Sequence, residues 1–425
     1  MKSRIATALL PLLLISPMPT SAVVAKSGHS ERLVVKDARI DAALESMVAD
    51  GRAAGTSVLV WQNGREVYFG TAGYADREAK RPMARDTIVQ IFSMTKPVTG
   101  VALMQLWEQG KFGLDDPIAR FLPEFANMQT YAGKDADGTP IYRSAKRQIT
   151  IRDIMRHTAG FADGGTDTAA HIAYSKANPM ALTHDLSEFG RRLATVPLLY
   201  DPGEQWYYSY AVDVQALLVE KISGQVYGDY VRQNILRPLK MTETDWRQPE
   251  GKFGRFAASY KKETASLGRI EDGVNRMLNF QDNKMTPGGF GLATTVGDYM
   301  RFARMLLNKG ELDGARILKP STVKLMTTDQ LDPRAVERRW LPGKGAVGFG
   351  FDFAVRTSQP QNAAENRGAV GEFFWDGWQS TLFFVDPANN LAAVYFVQTQ
   401  PFDGTLHHDI RKALYGADYL GPKGD

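Results

Sequence analysis

The chain has 425 residues, 44% of them apolar and 23% charged, with a formal net charge of +4 and no cysteine. That length and apolar content allow a substantial buried core and exclude a disordered or repeat architecture, and so small a positive excess leaves no basic footprint for nucleic acid. Without cysteine there are no disulfides, no thiolate catalysis, no cysteine-ligated metal and no lipidated cysteine.

The chain opens like a secretory leader: basic Lys2 and Arg4, an apolar run over 6–15, then small residues at Ser21-Ala22 and again over 23–25. The run is too short for a membrane span and Pro11 interrupts it. Residues 1–25 are therefore expected to be a signal peptide, and the protein to be periplasmic or secreted with no stable membrane span. Next, apolar runs over 56–61 and 66–70 flank Gln62-Asn63-Gly64-Arg65, and Asn-Gly between such runs is a strong hairpin signal.

An apolar helix is predicted over 98–109, ended by Gly110, and Ser93-Met94-Thr95-Lys96 stands at its start. Three residues are nearly one helical turn, so the hydroxyl and the amine share a face. A lysine desolvated in a cleft loses part of its preference for the charged form and can take the serine proton. Ser321-Thr322-Val323-Lys324 repeats the spacing, but it follows Pro320 and leads into Leu325-Met326, the pattern of a helix N-terminus with a capping serine and a solvated lysine.

From 111 to about 284 the pattern reads as helices and long loops. The apolar stretch 212–222 ends at Ser223-Gly224, and Val226, Tyr230, Val231 and Ile235 recur at helical spacing. Strand character returns over 347–355, 381–385 and 391–397, with a turn at 386–390, and a last helix is predicted over 408–414. Strands at both ends with helices between predict an α/β fold of the α+β type. Its antiparallel sheet is built from both termini (30–110 and 285–415) and flanked by helices, with a mainly helical lobe over 111–284 inserted and a cleft between the lobes.

Several segments then match a known family in order. The stretch from Ile91 to Thr99 around Ser93 and Lys96, with Leu114-Asp115-Asp116-Pro117 downstream, resembles the first motif of serine β-lactamase-like enzymes, and above all of class C β-lactamases and family VIII carboxylesterases. The run 149–154 leading into His157-Thr158-Ala159-Gly160 resembles the turn those proteins carry after the nucleophile helix. Pro202-Gly203-Glu204-Gln205-Trp206-Tyr207-Tyr208-Ser209-Tyr210 resembles their tyrosine motif, and Gly288-Gly289-Phe290-Gly291-Leu292 and Trp375-Asp376-Gly377 complete the set. The resemblance spans about 35–415.

The resemblance implies a β-lactamase/transpeptidase-like fold in which Ser93 attacks an acyl carbonyl while Lys96 and Tyr208 share the proton transfer, either of them serving as base. It implies an oxyanion hole from the backbone N–H groups of Ser93 and Trp378. Trp375, Asp376, Gly377 and Tyr210 would contact substrate. His157, in its Thr-Ala-Gly turn, reads as a structural hydrogen-bonding residue, and His407-His408 as flanking the last helix. No cofactor and no metal is called for.

Two departures carry information. Penicillin-recognising relatives begin the third motif with a cation and a hydroxyl that grip the substrate carboxylate, whereas this chain has Trp375 and Asp376; the second motif ends at Tyr210 in place of the usual asparagine. A tryptophan forms no ion pair and an aspartate repels an anion, unless a cation from the 334–339 segment or Arg367 compensates. The expected activity is therefore that of a secreted carboxylesterase on small neutral esters. A class C-like β-lactamase, a D,D-peptidase and an acyltransferase stand as alternatives, and a peptidoglycan-binding or sensor protein is the non-enzymatic one. The partner is a small-molecule ester or amide, not a nucleic acid.

Overall fold

Asn63 and Gly64 both take left-handed backbone angles, φ 52° and 82°, as a two-residue hairpin turn requires. The predicted hairpin is therefore present as β1 (Gly55–Gln62) and β2 (Arg65–Asp76). The structure is a computed structural model that describes residues 33–419 apart from 265, 336, 339, 340 and 363. The expected signal peptide, residues 1–25, lies outside the described residues.

Helix α1 (Asp37–Ala49) precedes the hairpin, and β3 (Arg81–Pro82) and α2 (Lys96–Glu108) follow it. The middle of the chain contributes α3 (Ala211–Ser223) and the C-terminal part α4 (Val296–Leu307), β4 (Val347–Phe349), β5 (Ala354–Arg356), β6 (Phe373–Asp376), β7 (Leu382–Asp386), β8 (Leu391–Val397) and α5 (Gly404–Tyr415). The strands form one antiparallel sheet in the order β4-β5-β6-β7-β8-β1-β2-β3. Val58 of β1 pairs with Tyr395 of β8, and that pairing joins the two ends of the chain.

Every residue of β6, β7 and β8 is buried, so these strands read as unbroken apolar runs where a half-exposed strand would alternate. Helices cover both faces. On one, Tyr395 donates its hydroxyl to Met47 of α1 at 3.3 Å, and the Arg411 guanidinium of α5 lies 4.6 and 4.4 Å from the ring centres of Phe374 and Phe384. On the other, Tyr299 of α4 packs edge-on to Phe383 at 5.0 Å. Helix α2 packs against α3 and is buried on nearly every side, which explains why its sequence is apolar all round.

Three expectations are corrected. The predicted strand over 347–355 is two strands, because Asp352 turns left-handed (φ 63°) and the Gly350 amide bonds Phe353 O at 2.8 Å, closing a tight turn. The stretch 111–284 is not helical alone: Gln129–Lys134 pairs with Pro140–Ser144, and Tyr260–Lys262 with Leu267–Arg269. The second serine-lysine pair lies in the helix Pro320–Met326 with both side chains exposed, but the residue at the cap is Lys319.

One buried ionic knot anchors α5 to the sheet. Glu372, fully buried just before β6, accepts from Arg411 Nη1 at 2.6 and 2.7 Å and from the Tyr415 hydroxyl at 3.0 Å, and lies 3.5 Å from Arg356 Nη2. Removing one member of such a pair leaves an uncompensated buried charge, so Glu372→Gln is expected to lower the unfolding free energy by about 3–5 kcal/mol, read from urea denaturation. An unchanged urea midpoint would mean that the knot contributes nothing.

Candidate active site

Residues Phe92–Thr95 form one 3-10 turn, and Lys96 begins α2 directly after it. Residues three apart eclipse each other in a 3-10 turn, so Ser93 and Lys96 point the same way. The distance from Lys96 Nζ to Ser93 Oγ is 3.2 Å. Phe92 sits at φ 44°, a rare angle for a bulky residue that costs on the order of 1–3 kcal/mol. The surroundings over-determine it: Ile91 N bonds Leu292 O at 3.0 Å, Leu292 N bonds Thr95 Oγ1 at 3.2 Å, and the Tyr299 hydroxyl bonds Met94 O at 2.7 Å.

Lys96 is only 6% exposed. Its Nζ also donates to Gly289 O at 2.8 Å and stands 4.6 Å from the centre of the Tyr208 ring. Tyr208 arrives on an irregular segment held from below by the 157–160 turn. Gly203 N bonds Thr158 O at 2.7 Å, Tyr207 N bonds His157 O at 2.9 Å, and Ser209 N donates to His157 Nδ1 at 3.3 Å. The Tyr208 ring rests on His157 (4.8 Å) and Trp375 (5.4 Å), and Trp375 Nε1 donates to its hydroxyl at 3.4 Å.

Burial and the nearby Lys96 push the His157 pKa well below the usual imidazole range. Since its Nδ1 accepts the Ser209 amide, the ring is neutral with its proton on the buried Nε2. It props the tyrosine and offers no lone pair to Ser93.

Strand alternation turns Trp375, paired with Phe383, toward the face that carries Ser93. Gly377 ends the strand against the nucleophile turn: a Cβ there would come within 2.5 Å of Ile91 O and 2.2 Å of Thr381 Oγ1. Trp378 follows the strand, in the turn closed by Gly377 N to Thr381 O at 2.9 Å. Its indole is 53% exposed at the rim and donates to Gln400 Oε1 at 3.0 Å. Ser93, Tyr208, Trp375, Asp376, Gly377 and Trp378 all line one cavity of about 570 Å³, whose remaining walls include Trp206, Phe374, Leu382 and Phe402.

Tyr210 is the predicted contact that the structure redirects. It precedes α3 and its ring stacks on Tyr174 at 5.2 Å and 12°, outside the residues lining the cavity.

The compensating cation also comes from elsewhere. Arg334 is exposed and paired with Asp332, Arg339 lies outside the described residues, and Arg367 is buried on the backbone oxygens of Asn362, Glu365 and Ala417. Arg411 lines the cavity but is tied to Glu372, and the cation beside the third motif is Lys344, from the turn Leu341–Lys344. It pairs with Asp376 and lies 4.9 Å from the Trp375 ring and 5.0 Å from that of Phe402.

Two buried acids that the sequence reading passed over lie close to Lys96. Burial pushes Asp213 up to about 6 against the pull of Lys96 and of backbone N–H groups, and burial pushes Asp352 well above the carboxylate range. A lone aspartate between Val212 and Val214 in an apolar helix was the available signal for the first. Among the described residues no cluster of histidine and acidic side chains could hold a metal ion, and no helix is long and apolar enough to cross a membrane.

A large antiparallel sheet covered by helices, with a serine-lysine pair and a tyrosine beside one of its strands, has the β-lactamase/transpeptidase-like architecture. The chain belongs to the Beta-lactamase family, which it matches over residues 40–417. It is 33% identical to Protein Rv1367c of Mycobacterium tuberculosis over 374 residues, covering 85% of this chain and 89% of that protein. It is 28% identical to Esterase EstB of Burkholderia gladioli over 403 residues, 89% of this chain and 95% of the esterase. Among solved structures it resembles EstCE1, described as a hydrolase with promiscuous acyltransferase activity, with a TM-score of 0.75 and 27% identity over 89% of this chain and 98% of that one.

His407, in the cavity wall, is a second buried neutral histidine: its ring meets Ser380 O at 2.8 Å and burial pushes it down to about 4. The unfolded chain takes up this proton near 6.5 whereas the folded one refuses it until about 4, so stability present above 6.5 is lost as pH falls through that window. His407→Gln is expected to flatten the fall of unfolding free energy between these pH values, measured by urea titration at each pH. Parallel profiles for both proteins would exclude His407 as the cause.

Proposed function

We propose that the protein is an exported serine carboxylesterase that cleaves small neutral esters through an acyl-enzyme on Ser93. The observation that carries this reading is the buried amine 3.2 Å from a serine hydroxyl at the wall of an aromatic-lined cavity. As Oγ attacks the carbonyl carbon, its proton passes to the pair formed by Lys96 and Tyr208, with Lys96 Nζ 3.2 Å from Ser93 Oγ and one N–H held by Gly289 O. The carbonyl oxygen, now negative, is received by the backbone N–H groups of Ser93 and Trp378. The alcohol leaves with a proton delivered through Lys96 and the Tyr208 hydroxyl. A water molecule then attacks the acyl-serine by the same path, releasing the acid. The leader at residues 1–25 supports placement in the periplasm or outside the cell.

A second reading, transfer of the acyl group to an alcohol in place of water, is favoured by the similarity to EstCE1. The two are separated by product analysis with added alcohol.

Ser93→Ala is expected to lower turnover by about 10³-fold or more, because the covalent route is lost, while Ser321→Ala leaves it unchanged. A fluorophosphonate should label Ser93 in the intact protein, as read by peptide mass spectrometry. Labelling of any other serine would defeat this reading.

Both cations in the cavity wall are paired, Lys344 with Asp376 and Arg411 with Glu372, which suits a neutral substrate. An anionic substrate must compete with Asp376 for the lysine. Asp376→Asn is expected to raise kcat/KM for an anionic hemisuccinate p-nitrophenyl ester relative to p-nitrophenyl butyrate by roughly ten- to a hundredfold, the equivalent of one charge-assisted contact. The same change should improve cephalosporin turnover relative to the neutral ester. A ratio equal to that of the wild type would show that Lys344 does not read substrate charge.

A further inference from the structure

Gly288-Gly289-Phe290-Gly291 is a motif that the mechanism above uses only through one carbonyl, and Asp213 is a fully buried acid that it does not use. The two belong together. Gly289 N donates to Asp213 Oδ1 at 3.0 Å, while Gly289 O accepts from Lys96 Nζ at 2.8 Å. A Cβ on residue 289 would stand 2.8 Å from Asp213 Oδ2 and 3.2 Å from Lys96 Nζ, so the carboxylate and the amine face each other across a gap that only glycine leaves open. Gly288 is fitted just as closely, since a Cβ there would come within 2.4 Å of Val212 O, and its own carbonyl accepts from Thr99 Oγ1 at 2.6 Å.

Asp213 Oδ2 has no hydrogen-bond partner among the described residues. A buried carboxylate persists only with compensating charge or hydrogen bonds, and Lys96 is the cation that faces it. The other titratable groups around it are phenols: Tyr210 at the start of its own helix, Tyr174 from the helix Ala169–Ala177 and Tyr227 from the helix Tyr227–Val231. Asp352, the second acid near Lys96, is held by Gln215 Nε2 at 3.1 Å.

We propose that Asp213 is a positioning residue for the hydrolysis: through the Gly289 backbone and by direct charge it holds the Lys96 amine in the pose that faces Ser93. The inference rests on the assignment of Ser93 and Lys96 made above. It explains why an apolar helix carries an acid in its first turn and why position 289 has no side chain. It also has a pH consequence. Burial pushes Asp213 up to about 6, so below that pH the carboxyl is protonated and Lys96 loses its counter-charge. Activity should therefore fall along an acid limb near pH 6.

Asp213→Asn keeps an acceptor for the Gly289 amide and removes the charge, which separates the electrostatic role from a purely structural one. Its kcat for p-nitrophenyl butyrate at pH 8 is expected to drop roughly 10- to 100-fold, as for a displaced catalytic group, with KM within about threefold of wild type and the limb near pH 6 gone. Wild-type kcat and an unmoved limb would overturn the proposal. If Asp213→Asn does not fold, Gly289→Ala decides: it keeps both charges and pushes a methyl between them, so a wild-type kcat in that variant also overturns the proposal and a comparable loss supports it. Fluorophosphonate labelling of the wild-type protein is read alongside. Failure to label Ser93 overturns the assignment of the nucleophile and this inference with it, whereas labelled Ser93 with an unaltered Asp213→Asn profile overturns the inference alone.

Discussion

Burying the amine of Lys96 is the constraint on which the rest of the site depends. An ammonium or amine at 6% exposure must find acceptors inside the protein, and every one comes from a different part of the chain. Ser93 Oγ is one turn away, Gly289 O lies 193 residues on, and the π-face of Tyr208 is presented by the segment after 202. The fold can be read as the apparatus that brings these together. Helix α2 runs through the core with its N-terminus at the cavity, α3 and the 285–292 segment close over the lysine, and β6 ends beside the nucleophile turn. The Gly377 backbone packs so closely on Ile91 that the strand end and the Ser93 turn behave as one surface.

What the sequence reveals of this arrangement follows from how local each feature is. The Asn63-Gly64 hairpin, the serine-lysine pair and the strand 391–397 are legible because their physics is contained in a few neighbouring residues: a turn needing φ > 0, a three-residue spacing, an unbroken apolar run. Trp375 and Tyr208 are found through motif context, and the structure lines one cavity with both. Tyr210 is misread for want of Tyr174, 36 residues earlier, whose ring it covers. The hairpin of Gln129–Lys134 with Pro140–Ser144 goes unseen because most of its residues are exposed and carry no strong alternation of apolar and polar side chains.

Charge in the cavity is the least local property of all. The third motif itself has no cation, yet Lys344 supplies one from a turn 31 residues before Trp375, and it arrives already paired with the aspartate that follows the tryptophan. Cation and anion come as a unit, so this part of the wall differs from one with a free lysine: the pair acts as a short dipole, which orients polar bonds in a neutral substrate.

The same low-dielectric surroundings decide which group can activate the serine. A histidine is present within the site's framework, but His157 has spent its Nδ1 lone pair on the Ser209 amide and burial disfavours its charged form, so it can neither accept a proton from Ser93 nor carry one. Lys96 stands within hydrogen-bond reach of Ser93, with Gly289 O and the buried Asp213 beside it. The choice of lysine over histidine thus follows from hydrogen bonding, since the imidazole lone pair is spent on the Ser209 amide while the Lys96 amine reaches Ser93.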